Sequence, residues 1–145
     1  MPKVTQLVVT AENKPGALAQ IASTLGQAKV NITSLLAPEV SGRGKVRLMV
    51  DHLDKAREAL KAAKMRVSEE EAVAVNLANK PGALADIAQK LAQSRVNIRY
   101  AYAAAGGARQ AMLILGVSNV AKALGALGEA EASAPAGPPP EQPPA

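Results

Sequence analysis

The chain contains one seven-residue phrase twice. Residues Asn13-Lys14-Pro15-Gly16-Ala17-Leu18-Ala19 return, 66 residues on, as Asn79-Lys80-Pro81-Gly82-Ala83-Leu84-Ala85. The register persists from Ile21-Ala22 to Ile87-Ala88, from Leu25 to Leu91, and from Val30-Asn31-Ile32 to Val96-Asn97-Ile98. A constant period means two copies of one supersecondary unit. Any site built by the phrase is therefore expected twice. Each copy has about 65 of the 145 residues, a size at which a lone unit buries little surface, so the copies are expected to pack on each other.

Within the first copy, Leu7, Val9 and Ala11 alternate with Val8 and Thr10, which predicts a strand. Pro15 suits the first turn of a helix, because its fixed φ is helical and its missing N–H is not needed there. Leu18, Ile21, Ala22 and Leu25 then share one helical face. Residues 31–40 read as a second strand, Ser41-Gly42-Arg43-Gly44 as a hairpin turn, and residues 45–50 as a third strand. Asp51 is placed to cap a helix whose buried stripe is Leu53, Ala56, Leu60 and Ala63. Residues 65–71 read as a fourth strand. The second copy repeats the order through strands at 72–77, 97–103 and 110–117, a turn at Gly106-Gly107, and a helix capped by Ser118 or Asn119. One extra hairpin residue moves the spacing to 67 beyond that turn.

The order strand, helix, strand, strand, helix, strand is the split βαβ, ferredoxin-like unit. The expected fold is α+β, with two βαββαβ units packed side by side. The expected division is 1–71 and 72–130, followed by a Pro-rich tail at 131–145. The last thirteen residues hold six prolines, and proline does not serve a paired strand interior. The second unit is thus expected to lack its fourth strand, leaving residues 73–77 as an open edge that meets a second subunit.

Cysteine is absent, which excludes disulfides, thiolate metal sites and cysteine nucleophiles. Positive charge is concentrated in one half: residues 1–67 carry 11 Lys/Arg and 5 Asp/Glu, residues 68–145 carry 6 and 7. A solvated helix bearing Lys55, Arg57, Lys61 and Lys64 accounts for much of it. The Glu69-Glu70-Glu71 run reads as a solvated edge, and His52 as a surface residue at a helix start. No apolar run marks a signal peptide or a bilayer span, so the expectation is a cytoplasmic protein with no membrane partner.

The repeated phrase lies between a strand and a helix. Its glycine permits close approach to the backbone, and the helix N-terminus offers unpaired N–H groups and partial positive charge. Asn13 and Asn79 each add an amide that donates and accepts. Together these suit a small zwitterion such as a free amino acid. Tyr100 and Tyr102, the two aromatic residues of the chain, fit either a pocket wall or core filling between sheet and helices. Ala72, Ala74, Ala101 and Ala103 are expected on the opposite sheet face.

Asn-x-Pro-Gly-Ala-Leu after a strand, followed by Val-Asn-Ile, resembles the ACT domain, and the chain up to about Gly128 resembles a tandem pair of them. The resemblance implies a regulatory module that binds an amino acid where two units meet, second strand beside second strand. It places ligand contacts in the first loops, on Asn13, Pro15, Gly16, Ala17, Leu18, Asn79, Pro81, Gly82, Ala83 and Leu84, and at the second-strand starts of the opposite unit, Asn31, Ile32, Asn97 and Ile98. In the serine-sensing branch it implies one site from Asn13, Gly16 and Asn97 and another from Asn79, Gly82 and Asn31. That branch carries a histidine two residues before the loop asparagine, where this chain has Ala11 and Leu77, so an apolar amino acid fits as well. The implied partners are a free amino acid, a second copy of the chain, and a regulated enzyme or transcriptional complex. No cofactor, metal, specific nucleic acid or enzymatic activity is implied. An acylphosphatase-like enzyme would want an arginine in the first loop, where only Lys14 and Lys80 occur. RNA binding on the same fold, or a protein-interaction role without ligand sensing, is the alternative, and RNA would want more exposed aromatics.

Overall fold

The computed structural model describes residues 3–38, 41–105 and 110–131. Ten elements run in order: β1 (Lys3–Glu12), α1 (Ala17–Gln27), β2 (Ile32–Leu36), β3 (Arg43–Val50), α2 (Leu53–Ala62), β4 (Arg66–Ala78), α3 (Ala83–Gln93), β5 (Ile98–Ala105), β6 (Gln110–Val117) and α4 (Val120–Glu131). They form two compact units. The first is Thr5–Glu70; the second holds residues 3–4 and the chain from Glu71 onward. The expected strands at 65–71 and 72–77 are thus one strand, β4, and the unit boundary falls within it.

The first unit orders its strands β2-β3-β1-β4. Antiparallel register pairs Leu7 with Leu48 and Val9 with Val46. These four pack against Ile21 and Leu25 of α1 and Ala56 and Leu60 of α2. The second unit orders β4-β6-β5, pairing Val73 with Leu115 and Val75 with Leu113. Its core adds Ile87, Leu91, Ala123 and Leu127. Each of these core residues answers one in the first unit, 66 positions on before the hairpin and 67 after it. The apolar faces specified by the repeat are therefore the faces buried, in both copies.

The strand that carries residues 73–77, β4, is not an edge strand of the sheet: it stands between β1 and β6. Residues 3–4 belong to the second unit, Lys3 pairs with Glu71 at 3.4 Å, and Ala72 through Val75 are fully buried. The turn at Gly106-Gly107, the missing fourth strand near 132–138 and the Pro-rich tail beyond 131 lie outside the described residues, as do Glu39 and Val40. The last helix loses helical geometry at Gly128, where φ is 74° and ψ 173°.

A shift of register interrupts β2 between Ile32 and Ser34, and another interrupts β5 between Ile98 and Tyr100. Such an irregularity breaks the two-residue alternation and re-aims the side chains beyond it. Ile32 and Ile98 pack toward the helices, whereas Ser34 and Tyr100 pair with Met49 and Gly116. This corrects two expectations. Tyr100 and Tyr102 do not fill core between sheet and helices: they pair with Gly116 and Ile114, on the face away from α3 and α4. Ala101 and Ala103 pair with the core residues Leu115 and Leu113, so they do not share a face with Ala72 and Ala74.

Within the glutamate run, Glu69 and Glu71 are exposed, as a solvated edge requires, and Glu70 is partly buried. Glu70 accepts a hydrogen bond from Arg47 Nε at 3.1 Å in a half-buried pair. Glu69 pairs with Arg57, which also reaches Asp54 at 2.7 Å. Those two carboxylates, Glu69 foremost, hold the Arg57 guanidinium above its ordinary pKa. Alternation sends each glutamate to a different cation.

Gly116 is where side-chain volume is excluded. A Cβ there would lie 2.0 Å from Tyr100 Cε1, so the ring occupies the space the glycine leaves. Gly116→Ala is expected to destabilise by about 1–3 kcal/mol through overpacking. Tyr100→Ala in the same chain should relieve the clash, giving a double-mutant loss smaller than the sum of the singles in urea denaturation.

Candidate functional site

The repeated phrase folds identically in both units. The Ala17 N–H donates to the Lys14 carbonyl at 3.3 Å, and the Ala83 N–H to the Lys80 carbonyl at 3.4 Å. Between them, Gly16 has φ 89° and ψ −10°, and Gly82 φ 87° and ψ −12°. Proline second and left-handed glycine third define a type II β-turn. Pro15 and Pro81 therefore shape a turn before the helix, not the helix's first residue as the sequence suggests. The reason is that Gly16 and Gly82 are themselves the N-cap residues, so helical dihedrals begin one position later. Just upstream, the Lys14 N–H donates to the Glu12 carbonyl and the Lys80 N–H to the Ala78 carbonyl, both at 2.9 Å. Asn13 and Asn79 are thus central residues of three-residue turns.

Neither N-cap supplies a side-chain hydrogen bond. The first α-type bonds run from the Gln20 N–H to the Gly16 carbonyl at 2.9 Å and from the Asp86 N–H to the Gly82 carbonyl at 3.1 Å. The amides of residues 18–19 and 84–85 accordingly have no intrahelical acceptor. Around Gly16 and Gly82 the space a Cβ would take is open. Leu18 and Leu84 are exposed beside the loops. Each loop thus displays an amide side chain, unpaired helix N–H groups and one apolar side chain.

Asn31 and Asn97 are held differently. The Asn31 N–H donates to Asp51 Oδ1 at 3.0 Å, and the Asp51 N–H returns to the Asn31 carbonyl at 3.1 Å. The Asn97 N–H donates to Ser118 Oγ at 3.1 Å, and the Ser118 N–H returns at 2.9 Å. Asp51 is thus engaged with Asn31, and His52 stands at the N-cap of α2 without a side-chain capping hydrogen bond. Asn119, not Ser118, caps α4, its Oδ1 accepting from the Lys122 N–H at 3.0 Å. Sequence reasoning misses the Asp51 and Ser118 clasps, although the two residues are 67 apart and fall in the repeat register.

Within a unit, the two asparagines are not brought together. Asn13 follows the Glu12–Arg43 end of the β1–β3 ladder, while Asn31 precedes the Ile32–Val50 end of β2–β3. In the second unit Asn79 follows Ala78–Gln110 and Asn97 precedes Ile98–Val117. What faces the first loop inside its own unit is the far end of β2. Asn13, Lys14 and Leu18 line a cleft of about 180 Å³ with Ala37, Pro38 and Lys45. The Asn13 N–H also donates to the Gly42 carbonyl at 2.7 Å, tying the loop to the β2–β3 hairpin.

Among the described residues, no group of His, Asp or Glu is arranged to hold a metal ion, and no helix is long and apolar enough to cross a membrane. Tyr100 and Tyr102 are half-buried, which is poor geometry for stacking bases.

Residues 2–129 match the ACT domain pair family. The chain is similar to protein BT0572 from Bacteroides thetaiotaomicron, at 31% identity and TM-score 0.81, covering 87% of each chain. It also resembles the ligand-free regulatory subunit of aspartate kinase from Thermus thermophilus, at 21% identity and TM-score 0.59, covering 85% of this chain and 89% of that one. The corresponding subunit from Thermus flavus is 17% identical at TM-score 0.59, with coverage of 88% and 95%. A search of curated proteins finds no match.

Because a Cβ at Gly16 or Gly82 meets nothing, the cost of alanine there is backbone strain alone. Gly16→Ala and Gly82→Ala are each expected to destabilise by about 1–2 kcal/mol. Chemical denaturation of the singles and the double should show near-additive losses, since each turn is closed by its own hydrogen bond, Ala17 N–H to Lys14 or Ala83 N–H to Lys80.

Proposed function

We propose, from the premise that this chain belongs to the ACT domain pair family, that it is a regulatory protein which binds a free amino acid at its repeated loops. The observation that carries this reading is the duplicated loop geometry. Two identical type II turns present the same chemistry: unpaired helix amides for a carboxylate, an asparagine amide for an ammonium group, and Leu18 or Leu84 for an apolar side chain.

Loop contacts are assigned to Asn13, Pro15, Gly16, Ala17 and Leu18 and to Asn79, Pro81, Gly82, Ala83 and Leu84. Asn31, Ile32, Asn97 and Ile98 lie at the other end of their own sheets. In this reading they serve a ligand held against the loop of another ACT unit. The Asp51 and Ser118 clasps would hold their backbone in place for that purpose.

The role is regulatory and not catalytic. The sequence offers no nucleophile–base set, and the fold is shared with aspartate kinase regulatory subunits. Amino-acid occupancy would change assembly or shape and so bias a partner protein, with a coupling on the order of 1–3 kcal/mol. A homo-oligomer is part of the proposal, supported by the exposed Leu18, Leu35 and Leu84, which a second copy would cover.

A thermal-shift panel of the common amino acids tests the reading. At ~100 times its dissociation constant the true ligand should stabilise by roughly 2.7 kcal/mol. The Asn13→Ala/Asn79→Ala double variant should fold and lose that response. Silence of the wild type toward every amino acid would defeat the proposal.

A further inference from the structure

A second cleft opens in the first unit, bounded by the end of β1, by α1 and by the turn between α2 and β4. Its volume is about 350 Å³. Four cations line it, Lys14, Arg43, Lys64 and Arg66, against one acid, Glu12. The Glu12 carboxylate is shared, with Oε2 at 3.3 Å from Lys14 Nζ and Oε1 at 3.7 Å from Arg43 Nη2. It balances one of those two charges. Lys64 and Arg66 join no ion pair among the described residues. The cleft therefore holds a concentrated excess of positive charge in a concave space, which attracts anions more strongly than the same charges spread on a convex surface.

Two further observations bear on Lys64. Its φ is 62°, a left-handed conformation that favours glycine, so a lysine sits there against backbone preference. Its basic character is also not part of the repeat. The counterparts of Lys64 and Arg66 at the 67-residue spacing are Glu131 and Ser133. Lys29 and Arg95 hold the same left-handed conformation, with φ 60° and 59°, yet neither lines this cleft.

We propose that this cleft binds a small multivalent oxyanion, a phosphate or pyrophosphate group, through Arg43, Lys64 and Arg66, with Lys14 at its rim. Guanidinium forks match such oxygens bidentately. A cleft bounded by the end of β1, by α1 and by the turn between α2 and β4 suits a small molecule and not a duplex or an extended strand. The site is chemically distinct from the amino-acid reading of the loops and does not rest on it.

The probe is inorganic pyrophosphate, titrated calorimetrically into the full chain at ionic strength held constant with sodium chloride. Pyrophosphate should bind, and Lys64→Gly and Arg66→Ser should each weaken it by about tenfold, the effect of losing one charge-assisted hydrogen bond. Lys64→Gly should at the same time melt no lower than wild type, because glycine relieves the left-handed residue. Lys29→Gly, which removes the same charge from the same conformation elsewhere, should leave the affinity unchanged. Three results would each overturn the proposal: no pyrophosphate binding by the wild type, equal weakening by Lys29→Gly, or binding of a single-stranded RNA oligonucleotide tighter than pyrophosphate with the same dependence on Lys64 and Arg66. An amino-acid response without pyrophosphate binding would sink this site and leave the loop reading standing.

Discussion

The left-handed glycine in each type II turn is the constraint on which both units are organised. An L side chain strains at φ near 90°, so Gly16 and Gly82 are the residues that let the chain leave a strand and enter a helix within four positions. That reversal lays α1 and α3 back over their sheets, where Ile21, Leu25, Ile87 and Leu91 meet the strand residues of the core. The same reversal leaves the first helix amides uncapped by any side chain. Fold and candidate site thus arise from one local conformation: the turn that closes the core is the turn that leaves the first helix amides exposed.

A second constraint acts at the start of β2 and of β5. The register shifts after Ile32 and Ile98 put consecutive alternating residues on different faces. Without them, Tyr100 would project toward the helices with Ile98. With them it lies over Gly116, and Ser34 is buried on the corresponding face of the first unit. Immediately before each shift, Asn31 and Asn97 are clasped through the backbone by Asp51 and Ser118. Chain irregularity and an exposed asparagine therefore occur together twice, which is the pattern expected where backbone is shaped for presentation and not for pairing alone.

Electrostatics separates the two copies that packing makes alike. The core positions repeat almost residue for residue, but the charges do not. Arg47 and Glu70 form a half-buried pair whose counterparts at the 67-residue spacing are Ile114 and, beyond the described residues, Gly137. Glu12 bridges Lys14 and Arg43, whereas Ala78 stands in its place in the second copy. Burial tolerates few changes of volume, while surface charge changes cheaply, so duplicated units keep their cores and diverge in their fields.

The sequence by itself determined the duplicated architecture, the helix and strand faces, and the identity of the two loops, because apolar periodicity and a Pro-Gly pair act over a few residues. Leu7, Val9, Ile21 and Leu25 are readable as core for that reason. Only the tertiary structure decided what depends on register and on distant partners. A one-residue shift in β5 turns the tyrosines away from the helices, and β4 runs unbroken where the residue pattern suggests two strands. Asp51 goes to Asn31 instead of to its own helix, and the glutamate run finds three separate cations. None of these is encoded within a short window. Each is settled when segments distant in the chain compete for the same backbone N–H or the same charge, so the outcome depends on which segments the fold brings together.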